Sequence, residues 1–424
     1  MRKSNTIASL SMSIAAAGAL IAMASGCSAG TASGGPSSAE GTSPSPSSSQ
    51  PTASTAPTST SPSATSTATP QVPAPATPTA SAAEQQLAAL TLEQRVGQLF
   101  MVAAKATGAE PATMEALKKY HAGNVYLSGR SKAGATTTAA VVSSLTGTVS
   151  PATTGGVPLF VATDQEGGFV QVLSGPGFST MPTALVQASS GAAKIRSDAE
   201  LWGKELSSVG VNVNLAPVLD TVTSPQFAPS NGPIGHFQRE YGYAPDTVSE
   251  LGNAFAAGMK DAGVAPVVKH FPGLGRVVPN TDVTSHVRDT ATTRTDPALE
   301  PFKAAIESGT QWVMVSNAFY DKIDPANIAP FSTAIMDTML RKDAGFTGIV
   351  LSDDLCSAAQ LEGWSDADRA LNFFTAGGTM LVCADPTSIP AMHQAVVKKA
   401  QADPAFRAKV DAAALTVLRV KAGK

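Results

Sequence analysis

Gly348-Ile349-Val350-Leu351-Ser352-Asp353-Asp354 is a short apolar run that ends abruptly in two carboxylates. A strand with one wet face alternates polar and apolar residues. A continuous run reads instead as a strand buried on both faces, the habit of parallel sheets covered by helices. Residues 348–352 of this stretch share that character with seven other runs, 99–103, 124–127, 159–163, 211–215, 265–269, 312–316 and 379–383. Between them lie segments that read as helices, among them 199–209, 246–262, 299–308, 332–342 and 367–376. Eight strands alternating with helices predict an α/β fold, a (β/α)8 TIM-type barrel. Such a barrel carries its chemistry just beyond the strands, at the C-terminal face. Polar residues gather there: Asp164 and Glu166 after the third run, Asp220 after the fourth, Lys269 and His270 at the fifth, Asn317 at the sixth, Asp353 and Asp354 at the seventh, Asp385 at the eighth.

The rest of the 424 residues are unevenly made. Between Lys3 and Glu84 the one charged residue is Glu40, and no aromatic residue precedes Phe100. Residues 28–82 are almost wholly Ser, Thr, Ala, Pro and Gly and hold 10 of the 30 prolines. Ordering a residue costs roughly 1–2 kcal/mol, which so little apolar bulk does not offset, so disorder is expected over 27–82 and a single folded domain over 83–424. The net charge of −3 with interspersed signs leaves no basic face for nucleic acid and no polybasic run for anionic lipid.

Arg2 and Lys3 precede an apolar, small-residue stretch over 7–24 and then Ser25-Gly26-Cys27. This order describes a secretory signal peptide over 1–26. The Cys after Ser-Gly resembles the lipobox of bacterial lipoproteins, which implies lipidation at Cys27, export across the cytoplasmic membrane and a lipid anchor at the cell envelope. An ordinary cleaved signal and an uncleaved anchor helix are the alternatives. The Pro-rich segment would then be a tether with a span of about 40 Å, from roughly 5–6 Å × √n. Cys356 and Cys383 are too few for a disulfide framework, although a single bridge between them is open.

Several strand ends carry a resemblance to a known family. Leu90-Thr91-Leu92-Glu93-Gln94-Arg95-Val96-Gly97-Gln98-Leu99-Phe100 begins it, followed by Asp164-Gln165-Glu166-Gly167-Gly168 and Leu215-Ala216-Pro217-Val218-Leu219-Asp220. Lys269-His270-Phe271-Pro272-Gly273-Leu274-Gly275 continues it, and 345–355, ending in Ser352-Asp353-Asp354-Leu355, completes it. In this order and spacing the set resembles glycoside hydrolase family 3, especially its single-domain β-N-acetylglucosaminidases, and covers nearly the whole folded part. The chain ends about 40 residues after the eighth run, which fits that single-domain branch.

The resemblance implies Asp353 as the nucleophile of a retaining mechanism with a covalent glycosyl intermediate. An ionised carboxylate held at a strand end suits displacement at an oxocarbenium-like centre. Asp354 reads as a cap of the next helix. The resemblance also implies sugar binding by Asp164, Arg239 (in Ile234-Gly235-His236-Phe237-Gln238-Arg239), Lys269 and His270. The family's proton donor is a loop His held by an Asp two residues before it. Here the loop over 276–286 supplies His286, but Thr284 stands in the partner's place, leaving Asp282 or Asp289 as substitutes. A second departure is Phe169 and Val172, where the family has arginines.

The expected function is therefore removal of terminal β-linked N-acetylglucosamine from cell-wall fragments or related glycans, by a monomer. The competing readings are a catalytically weak glycan-binding lipoprotein, motivated by Thr284, Phe169 and Val172, and β-glucosidase or β-xylosidase specificity on the same barrel. The spacing of the five His residues suggests no metal site, and no phosphate-binding loop suggests a nucleotide cofactor.

Overall fold

The computed structural model describes residues 80–423. The signal peptide, Cys27 and all but the end of the tether lie outside the described residues. A helix over Ala82–Ala89 opens with a capping box in which Ser81 and Glu84 exchange hydrogen bonds, and Thr91 and Gln94 cap Leu92–Gly97 in the same way.

Eight parallel strand segments form the barrel: β1 Phe100–Lys105, β2 Asn124–Ser128, β3 Phe160–Thr163, β4 Val213–Asn214, β5 in two pieces at Ala265–Pro266 and Val268–Phe271, β6 Trp312–Val315, β7 Ile349–Asp354 and β8 Met380–Cys383. The sheet runs from the first piece of β5 through β4, β3, β2, β1, β8, β7 and β6 to the second piece of β5. Because both pieces belong to one strand run, the sheet returns on itself. All eight expected strands are present. The fourth is shorter than expected, while β7 continues through Asp353 and Asp354 themselves.

Helices alternate with the strands as expected, with one starting earlier, at Ala192–Ser208, and another over Ala334–Asp343 wound as a π-helix. Pro245–Asp261 packs against Ala192–Ser208, where Gly258 lets the backbones approach: a Cβ there would lie 2.2 Å from the Arg196 carbonyl oxygen. The strands are buried along almost their whole length, as continuous apolar runs require.

The end of the barrel away from the strand C-termini is filled by aromatic rings. Phe160 of β3 and Trp312 of β6 are not neighbours in the sheet, yet their rings meet edge to face at 4.8 Å, so they touch across the interior. Lys421, on the last helix Pro404–Ala422, lies 5.0 Å from the Phe160 ring centre and donates to Gln98 Oε1 and the Gly123 carbonyl. Both rings are fully buried. Trp312→Ala is therefore expected to lower the unfolding free energy by about 3–5 kcal/mol, read as a lower urea midpoint at unchanged m-value.

Candidate active site

The β3 end builds one wall of the barrel mouth. In Asp164-Gln165-Glu166-Gly167-Gly168 the two glycines take φ of 107° and 55°, which lets the chain fold back so that Gln165–Gly167 pairs with Val170–Gln171. That turn leaves Asp164 at the cavity and sends Glu166 inward. Lys269, at the end of β5, places its ammonium 2.7 Å from Asp164 Oδ1 and 2.6 Å from Glu166 Oε1. Arg239 grips Glu166 with two hydrogen bonds, Nε to Oε2 at 2.8 Å and Nη2 to Oε1 at 2.7 Å, and donates to the Pro233 carbonyl.

Two cations and two carboxylates therefore interlock in a nearly dry place. Burial alone would raise the Glu166 carboxyl, but the Arg239 and Lys269 charges overcome it and hold it at about 2. Burial likewise opposes the Lys269 ammonium, and the Asp164 and Glu166 charges outweigh it, so its pKa is raised.

His270 is oriented from behind. Its Nδ1 lies 2.7 Å from Asp220 Oδ2, while Asp220 Oδ1 accepts the backbone N–H groups of His270 and Leu274. With Nδ1 occupied by a buried carboxylate, Nε2 is the ring nitrogen left for a ligand. Asp220, read from sequence as one more strand-end acid, thus acts through His270. Asp385, another, caps the turn Pro386–Ser388.

Asp353 and Asp354 differ although adjacent. Asp354 turns its carboxylate back on the chain, accepting N–H groups of Cys356, Ser357 and Ala384. It therefore closes the turn after its strand and does not cap the next helix, Asp366–Thr375, whose N-cap is Ser365. Among the described residues Asp353 accepts one hydrogen bond, from the Asp354 N–H at 2.8 Å, and it lines the cavity. Burial pushes its carboxyl up to about 6; the His270 charge opposes this rise and that of Asp282 adds to it. The Cys356–Cys383 disulfide ties the loop after Asp354 to the end of β8.

A cavity of about 400 Å³ brings together Asp164, Arg239, Lys269, His270, Asp282 and Asp353. His286 is not among them. It lies in a separate cleft with Phe319, Glu362 and Trp364, at φ 57°. Asp289 is remote as well: its oxygens accept the N–H groups of Ala291 and Thr292 and the Thr292 hydroxyl. Gly275 makes the Lys269–Gly275 stretch fit, since a Cβ there would sit 1.9 Å from the Thr221 carbonyl oxygen.

Three residues had no signal in the sequence reading. Tyr126, inside β2, lines the cavity and has its phenol held well above the ordinary value by burial and by the Asp354, Asp164 and Asp353 charges. Arg130 follows β2 and donates to the carbonyls of Phe169 and Gln171. It borders a second hollow of about 370 Å³ that shares Tyr126, Asp164 and Val170 with the main cavity. Gln360 anchors the loop that carries Asp282.

Residues 91–420 match the family model described as glycosyl hydrolase family 3 N terminal domain. The chain belongs to glycosyl hydrolase family 3. It is a glycosidase by this membership and by its relatives. It is 33% identical over 240 residues to a β-hexosaminidase of Nitrosomonas eutropha, covering 54% of this chain and 66% of that protein. It is 35% identical over 248 residues to a β-hexosaminidase of Alkalilimnicola ehrlichii, covering 55% and 68%. A crystal structure of β-N-acetylhexosaminidase from Beutenbergia cavernae superimposes with a TM-score of 0.78 at 53% identity, over 78% of this chain and 99% of that one.

Within the family 3 barrel, the departures at 169 and 172 take different forms. Val172 is buried, and Phe169 is 54% exposed with its ring 6.0 Å from that of Phe237. Glu166 yields a stability prediction. Its carboxyl is held at about 2 against an ordinary 4.5, so its pairing stabilises the fold at neutral pH and is lost as pH falls from about 4.5 through 2. Glu166→Gln leaves Lys269 and Arg239 with Asp164 alone. It is expected to cost about 3–5 kcal/mol at pH 7 in urea titrations, with the deficit shrinking as the titrations are repeated toward pH 2.

Proposed function

We propose that the protein is a retaining β-N-acetylglucosaminidase in which Asp353 forms a covalent glycosyl ester. The observation that carries this reading is Asp353 itself: a half-buried carboxylate at a strand end, with one hydrogen bond among the described residues, facing a cavity whose opposite wall is a fixed array of charged hydrogen-bonding groups. Asp164, Arg239, Lys269 and His270 are suited to hold the sugar's hydroxyls by charge-assisted hydrogen bonds. β3 and β7 lie opposite each other in an eight-stranded ring, so a sugar held at Asp164 extends its anomeric carbon toward Asp353. The N-acetylhexosaminidase names of the relatives support this choice of sugar over glucose or xylose.

Nucleophilic attack requires the ionised form of Asp353. With its carboxyl raised to about 6, kcat/KM on a chromogenic N-acetyl-β-glucosaminide is expected to fall about tenfold per pH unit below that value, as Asp353 takes up its proton. Asp353→Ala is expected to abolish turnover, and a fluorosugar is expected to label Asp353 covalently. Binding of the sugar without label or turnover would favour the glycan-binding reading instead.

The same proposal places the enzyme at the cell envelope, released from its signal peptide and lipidated at Cys27, with terminal residues of cell-wall fragments or related glycans as substrate. Support comes from the order of Arg2, Lys3, the apolar stretch and Ser25-Gly26-Cys27. Metabolic labelling with a fatty acid in a bacterial host is expected to mark the wild-type chain and not Cys27→Ser; equal labelling of both would reject the anchor.

A further inference from the structure

The loop between Lys269 and Asp289 is fastened on every side. Asn231 Nδ2 donates to the carbonyls of Leu274 and Val277, and the Tyr320 hydroxyl donates to that of Gly273. At the far end of the loop, the N–H groups of Ala359 and Gln360 donate to the carbonyls of Asp282 and Thr281. Gln360 then uses its side chain to grip Val287: Oε1 accepts the Val287 N–H at 2.9 Å and Nε2 donates to the Val287 carbonyl at 3.3 Å. The Phe319 N–H donates to that same carbonyl, and the Val287 side chain is buried.

These fastenings decide which side chain faces Asp353. Thr281 and Asp282 are drawn over the cavity, whereas His286, between the two grips of Gln360, is turned into the cleft of Phe319 and Trp364. The residue next to His286, Val287, is buried and held at both its N–H and its carbonyl by Gln360, which fixes the backbone beside the imidazole. Asp282 is placed differently. Its exposed carboxylate lines the cavity and makes no hydrogen bond or ion pair among the described residues, so it is open to a ligand there. The influence of its charge on Asp353 and Asp354 reflects the same proximity.

From this geometry we infer that Asp282, not His286, is the acid and base of the reaction. The inference rests on the glycosidase reading of Asp353. In the first half, an Asp353 oxygen attacks the anomeric carbon, the bond from that carbon to the leaving oxygen breaks, its electron pair stays on the leaving oxygen, and the Asp282 carboxyl gives that oxygen its proton. In the second half, water attacks the anomeric carbon as Asp282 carboxylate takes a proton from it. The ester bond to Asp353 breaks and its electron pair returns to the Asp353 carboxylate. Both carboxyls end as they began. Thr284, which has no carboxylate to offer a histidine, is then no defect, because no histidine needs orienting.

The test compares Asp282→Asn and His286→Ala in the full chain, on N,N′-diacetylchitobiose and on the 2,4-dinitrophenyl glycoside, with and without sodium azide. A sugar leaving group needs a proton and dinitrophenolate does not. Asp282→Asn is expected to lose about 10²–10⁴-fold on the disaccharide. With the dinitrophenyl glycoside it should accumulate covalent intermediate, and azide should restore turnover while yielding the β-glycosyl azide. His286→Ala is expected to stay within about threefold of wild type on both substrates, with no effect of azide. A loss in Asp282→Asn that is equal for both leaving groups and not rescued by azide overturns the inference, as does a leaving-group-dependent, azide-rescued loss in His286→Ala. In either case a wild-type chain that turns over the dinitrophenyl glycoside through Asp353 leaves the glycosidase reading standing. A wild-type chain inert on both substrates removes that reading and the inference with it.

Discussion

One buried ammonium organises the mouth of the barrel. Lys269 sits at the end of β5, almost without solvent, between Asp164 and Glu166 at the end of β3, and Arg239 reaches in from the segment after β4 to share Glu166. None of these charges tolerates this environment alone, because burying an unpaired ion costs several kcal/mol. Together they balance, two positive against two negative, and the balance locks three consecutive βα units into one arrangement. The array supplies a wall of hydrogen-bonding groups that need not rearrange when a polyhydroxylated ring arrives.

Opposite that wall the chain sets two neighbouring aspartates to unlike tasks. Asp354 is consumed by three backbone N–H groups and holds the turn after β7, which the Cys356–Cys383 bridge also fastens to β8. Asp353, one residue earlier on a strand whose side chains alternate in direction, points to the other side and is left nearly free. Its raised carboxyl follows from being desolvated with so few donors. The rigidity of Asp354 and the availability of Asp353 therefore have a common origin in the strand that carries both.

The barrel was legible because each strand announces itself locally. Ile349-Val350-Leu351 or Val313-Met314-Val315 cannot sit at a wet surface, and eight such runs at helical spacing leave few other arrangements. Strand bounds were less legible. The fourth run, 211–215, keeps only Val213–Asn214 in the ladder. Asp164, Lys269, His270 and Asp353 were legible as strand-end polar residues, and the sequence order alone suggested that they meet. Tyr126 and Arg130 were not, since a Tyr inside an apolar strand and an Arg in a loop look ordinary until the neighbouring strand end is seen beside them. His286 and Asp282 lie four residues apart on one loop, and nothing local says which of the two turns inward.

What the sequence by itself determined is what depends on short-range pattern: the parallel barrel, the strand ends at which polar groups collect, and the contrast between a Pro- and Ser-rich leader and an apolar-rich domain. The tertiary structure alone decided the path of the loop from Gly273 to Val287. That path is set by hydrogen bonds from Asn231, Tyr320, Ala359 and Gln360, residues about 40 to 80 positions away from the groups they hold. A backbone carbonyl accepts from whichever donor the fold brings near it, and no residue type along the loop records which donor that will be.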